Sequence, residues 1–81
     1  MKVIIELEAK DAQCLAYSLE CQQEENAKRG IFTNTEVCLG VASGINAVTG
    51  RHPSIEYGEI SNAATAYVRF NPRVTVRSEE E

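Results

Sequence analysis

The sequence predicts an α+β domain in which two helices pack on one face of a small, mainly antiparallel sheet, in the order β-α-α-β-β. Three observations predict it. Apolar and polar residues alternate near both ends of the chain, two stretches between them carry helical spacing, and Gly30 and Gly50 stand where those helices stop.

The first strand is read over residues 2–8. Val3, Ile5 and Leu7 fall on one side and Lys2, Glu6 and Glu8 on the other, with Ile4 an apolar exception on the polar side. A helix follows from Asp11 as N-cap. Ala12, Leu15, Ala16 and Leu19 form one stripe of it, and Cys14, Tyr17 and Cys21 a second. Beyond Leu19 the polar run of residues 22–26 predicts a solvated second half. That half is supported locally by Glu24 with Lys28 and Glu25 with Arg29 at four-residue spacing, and it ends at Gly30.

The second helix announces itself through a capping box. Thr33 accepts from the Glu36 N–H, Glu36 reaches back to the Thr33 N–H, and Phe32 and Val37 flank them as a hydrophobic staple. This predicts a helix from Asn34 to Thr49 with Gly50 as terminator. Residues 37–50 carry no charge, although a surface helix normally has a charged face. Val37, Val41, Ile45 and Val48 make the expected core stripe, while Gly40, Ser43, Gly44 and Ala47 make a stripe of small residues. Two interior glycines cost a helix about 1 kcal/mol each relative to alanine, so a neighbour is expected to approach that backbone closely. The first helix, a second subunit or a ligand are the three choices. The expected oligomer interface is this stripe together with Val74 and Val76.

Arg51 and His52 suit the negative end of the second helix, and Pro53 prevents its continuation, so His52 is read as a loop residue rather than a base. Residues 53–60 and 63–70 are read as a hairpin about Ser61 and Asn62, a register that sorts apolar from polar side chains. From Ala66 to Val76 every even position is apolar. That parity favours one long strand over 63–77, bent near Pro72, above a three-residue turn at Asn71 to Arg73. Tyr67, Arg69, Arg73 and Arg77 then share the outer face and are the expected contact residues for a ligand or partner.

A chain of 81 residues makes one domain, read here as 1–78 with an acidic tail at 79–81. At this length folding buries only about 60% of the unfolded chain's surface, so a partner subunit would help. Twelve acidic against eight basic residues leave a net charge of -4, which disfavours nucleic acid. No apolar run has the length of a membrane span, and the start of the chain lacks the pattern of a signal peptide, so a cytoplasmic protein is expected.

Cys14, Cys21 and Cys38 form no CxxC pair and are read as buried, reduced thiols that bind no metal. No phosphate-cradling glycine loop, zinc-binding helix or nucleophile elbow occurs, and a single His is present, so no catalytic residue and no cofactor are assigned. The expected function is a small non-enzymatic interaction module, an adaptor or inhibitor that acts as a homodimer by occupying a partner protein's surface. The alternative is a regulator that holds an anionic small molecule or nucleotide on the arginine-bearing strand face.

Overall fold

The computed structural model describes residues 1–65 and 75–77 and folds them into three helices, α1 (Ala9–Lys28), α2 (Thr35–Thr49) and α3 (Tyr57–Thr65). Among the described residues there is no strand. The expected α+β architecture is therefore overturned: the regular structure of the described residues is all-helical.

The first helix begins two residues before Asp11. Ala12 N–H donates to the Glu8 carbonyl at 2.9 Å, and Asp11 then lies in the first turn, where a negative charge suits the helix dipole. Its end is as expected. Gly30, at φ 70°, lets Gly30 N–H reach the Ala27 carbonyl at 3.1 Å and Ile31 N–H the Asn26 carbonyl at 2.9 Å. Glu25 and Arg29 pair across one turn at 3.5 Å.

The second helix opens at Thr35, one residue later than expected. Its N-cap is Asn34 rather than Thr33, held at φ 62° and making no side-chain cap bond. Asparagine is among the few side chains that tolerate this left-handed conformation. Gly50, at φ 74°, closes the helix as expected, its N–H on the Asn46 carbonyl at 2.9 Å.

The third helix replaces the expected hairpin, and Ser61 and Asn62 lie within it. Over so short a stretch two periods compete: Ile55 and Tyr57 fit a strand, while Tyr57, Ile60 and Ala63 or Ala64 fit a helix. The helix wins because it buries Ile60 and brings the Tyr57 hydroxyl inward onto Glu20. Among the described residues there is no sheet for residues 2–8 to join, and they run without regular structure. Of the expected long strand, residues 63–65 are helical and 75–77 have no regular structure. The remainder, with Tyr67, Arg69, Arg73 and Val74, lies outside the described residues, as does the tail at 79–81.

Ala16, Ala42 and Ile45 form the centre of the core, with Ala12, Leu19, Val41, Tyr57 and Val76 packed against it. α2 buries Thr35, Leu39, Gly40, Ala42, Ile45 and Asn46; of the expected stripe Ile45 is buried and Val41 packs on the core, while Val37 is exposed, so the buried face is centred to one side of that stripe. The buried face includes a threonine and an asparagine, which is why apolar spacing selected the valines. In α1 the polar second half is likewise only partly solvated, since Glu20 and Gln23 are buried.

The close approach expected at the small-residue stripe is found at Gly44. A Cβ there would stand 2.6 Å from Val76 Cγ2 and 2.7 Å from Val76 Cβ. The visitor is the chain's own later segment. Gly44→Ala should therefore destabilise the protein by about 1–3 kcal/mol through overpacking, against the ~1 kcal/mol that alanine gains in a helix. In a Val76→Gly background the same change should become neutral or stabilising. A double-mutant cycle in urea measures this, and equal effects in the two backgrounds would show that Val76 does not occupy the glycine.

Candidate functional site

Among the described residues the densest polar cluster is built around a carboxylate that has no contact with water. Glu20, on the core-facing side of α1 one turn beyond Ala16, is 0% exposed. The donors that meet it come from three other parts of the chain. Ser54 gives Oε1 both its N–H, at 3.0 Å, and its hydroxyl, at 2.7 Å. Arg51 Nη1 lies 2.9 Å from the same oxygen. Oε2 accepts from Asn46 Nδ2 at 2.8 Å and from the Tyr57 hydroxyl.

The partners are bonded to one another as well. Asn46 Nδ2 donates to the Tyr57 oxygen at 2.9 Å, and Asn46 Oδ1 accepts from Arg51 Nη1 at 2.9 Å. Arg51 also carries its guanidinium carbon 5.7 Å from the centre of the Tyr17 ring, within cation-π range. The left-handed turn at Gly50 precedes Arg51 and Ser54, so the loop after α2 bends back over α1.

Burial alone pushes the Glu20 carboxyl upward, since it penalises the charged form. The bonds from the Ser54 side chain, the Tyr57 hydroxyl, the Ser54 backbone and Asn46 outweigh it and leave the pKa at about 2. Tyr57 moves the opposite way: burial first, then its bond to Glu20 and the negative charge there, raise its pKa well above the usual tyrosine value. At neutral pH Glu20 has no proton to give and no lone pair free to take one, and Tyr57 holds its proton tightly. The cluster is a clamp and not an acid-base pair. Asn46 and Ser54 complete it, and no nucleophile stands free within it.

The sequence-expected site residues fall elsewhere. Gly40 is buried, Gly44 is half-buried against Val76, Ser43 and Ala47 are exposed, and Arg77 is exposed while Val76 is half-buried. His52 is an exposed loop residue, as expected. Glu20, Asn46, Arg51 and Tyr57 were not singled out by sequence. The available signal was their position: Glu20 follows Ala16, and Asn46 follows Ala42, by one helical turn on the buried lines of α1 and α2.

The thiols also depart from expectation. Cys14 and Cys21 are exposed and only Cys38 is partly covered, because the second stripe of α1 faces outward. Among the described residues no group of three or more His, Cys, Asp or Glu is placed to hold a metal ion, and no helix is long and apolar enough to cross a membrane. A shallow groove of about 290 Å³ between α1 and α3 is lined by Ile55, Ile60 and Ala63 with Glu24, Lys28 and Glu59, a setting that repels anions. No family model, curated protein or solved structure matches the chain.

Two expectations follow from this geometry. The native pKa of Glu20, about 2, lies below its ordinary 4.5, so its contribution is complete above pH 4.5 and is lost as the pH falls toward 2. The contribution is roughly 3 kcal/mol. Tyr57→Phe removes one donor, which should cost about 1.5–3 kcal/mol at neutral pH and move acid unfolding to higher pH. Glu20→Gln should cost about 3–5 kcal/mol, since it leaves the largely covered Arg51 without its anion. Urea titrations at several pH values measure both, and a wild type and Tyr57→Phe variant with the same acid midpoint would contradict the assignment. For the thiols, Cys14 and Cys21 should react rapidly with a disulfide reagent in the native state. Cys38, whose pKa burial raises, should react slowly until the protein unfolds, and uniformly slow reaction of all the thiols would overturn this.

Proposed function

We propose that the protein is a small non-enzymatic interaction module, a cytoplasmic adaptor or inhibitor that works as a homodimer and acts by occupying a partner protein's surface. The observation that carries this reading is the arm ahead of α1. Val3, Ile4, Ile5 and Leu7 are 77%, 85%, 76% and 48% exposed. Among the described residues, no backbone hydrogen bond reaches residues 1–7.

Scattered apolar side chains on a surface are ordinary, but a run of exposed aliphatics on a backbone with no partner among the described residues is a surface made for covering. Full burial supplies about 1.5–3 kcal/mol for a side chain of this kind, and most of that is unused at Val3, Ile4 and Ile5 and about half at Leu7. The clamp supports the same reading from the other side, because its polar groups are spent on one another and leave none for a substrate.

Sedimentation equilibrium tests the association. The full chain should form a dimer or larger particle near micromolar concentration, and a chain lacking residues 1–8 should keep its helical circular dichroism and remain monomeric. A particle of 8.9 kDa at the highest attainable concentration would refute the homodimer. A photo-crosslinker placed at Ile4 in cells should yield adducts with protein, and adducts with nucleic acid or a small metabolite instead would remove the interaction reading.

A further inference from the structure

We propose that the arms of two copies pair with each other, antiparallel about a twofold axis that sets Ile5 opposite Ile5. The inference rests on the proposed action by association and adds to it the partner of the arm, a second copy of this chain, and the register. Each protomer keeps the three helices of its described residues, and the pairing exists only between copies.

Self-complementarity singles out the second copy. Residues 2–8 read Lys-Val-Ile-Ile-Glu-Leu-Glu, with a cation at one end and an anion at the other. In an antiparallel pair turned about Ile5, Val3 lies opposite Leu7 and Ile5 opposite itself, so one face is aliphatic throughout. On the other face Lys2 lies opposite Glu8 at both ends, and Ile4 lies opposite Glu6. Opposite charges directly across from each other favour such a pair, and like charges oppose it. An isologous contact of this kind closes on itself and stops at two copies.

Other registers fit less well. Turning about Glu6 sets Glu6 against Glu6. Turning about Ile4 leaves Glu8 beyond the paired stretch and moves Lys2 onto Glu6. A shift to odd parity puts Lys2, Glu6 and Glu8 opposite aliphatic residues. The backbone is ready for pairing, since among the described residues no hydrogen bond reaches residues 1–7, and Glu8 is already extended at φ -62° and ψ 148°. Two paired segments need support on their apolar face, and Leu15, exposed in the second turn of α1, offers it.

The register makes substitutions of similar kind behave differently. Ile5→Lys sets two lysines against each other and should abolish the dimer, whereas Ile4→Lys meets Glu6 and should leave it intact or tighten it. Lys2→Glu places an anion opposite Glu8 twice and should weaken dimerisation on the order of tenfold. Adding Glu8→Lys should restore it, and adding Glu6→Lys should not. Residues 2–6 lie outside the helices and Glu8 is the N-cap of α1, whose carbonyl bond to Ala12 does not depend on the side chain, so circular dichroism should show the helices kept and confirms that each variant folds. Sedimentation equilibrium reads the dissociation constants. A dimer broken by Ile4→Lys, or rescue by Glu6→Lys in place of Glu8→Lys, overturns the register. Dimerisation unaffected by every variant overturns the pairing but leaves action by association standing, and a chain that never associates overturns both.

Discussion

The carboxylate of Glu20 constrains the rest of the molecule, because a buried charge is tolerable only while its donors are in place. Taking an ion of this size out of water costs several kcal/mol even after relaxation, and that cost is offset only by well-placed opposite charge and hydrogen bonds. Here the donors belong to α2, the following loop and the start of α3, and each arrives by a different route. The carboxylate is therefore satisfied only when all three helices and the turn at Gly50 have taken their places together. Such dependence gives a small domain cooperativity that its modest core would not supply alone.

How modest that core is follows from its residues. Of the side chains at its centre, Ala16 and Ala42 are small, and Leu39 is the largest aliphatic that is wholly buried. Alanines let α1 and α2 approach closely but remove little apolar area from water. The polar clamp supplies geometric definition that a core of larger side chains would provide in another protein. It does so through bonds with fixed directions: the Asn46 amide can serve both Glu20 and Arg51 only with its nitrogen toward one and its oxygen toward the other.

Legibility in the sequence followed the same division. Backbone punctuation was readable: Gly30 and Gly50 end their helices in the left-handed conformation, Glu25 meets Arg29, and Gly44 has a close neighbour. Those features depend on local sterics and spacing, which a sequence displays directly. The buried lines were harder to read because they run through Glu20, Gln23, Thr35 and Asn46, and apolar spacing does not register a polar residue facing inward. The valines of α2 then attracted the core assignment, and the cysteines of α1 were turned inward by the same error. The third helix was lost because alternation at Ile55 and Tyr57 imitates a strand, and long-range contacts, the burial of Ile60 and the bond from Tyr57 to Glu20, favour the helix instead. The polar clamp was accordingly the least legible part of the molecule, since four of its residues look like surface residues until their partners are known.

A contrast remains between the two ends of the described chain. Inside, donors and acceptors of the clamp are matched among themselves, and a helix surrenders its side chain at Gly44 to admit Val76. Ahead of α1, by contrast, aliphatic side chains and backbone groups stand in water without partners from the described chain. Free energy of burial that the protomer leaves unused is available to association, and a domain with a small core has the most to gain from it. The polar clamp fixes the helical body independently of the arm, so association can use the arm without rebuilding the body. That separation favours a protein whose interior holds its shape and whose exposed segment makes its contacts.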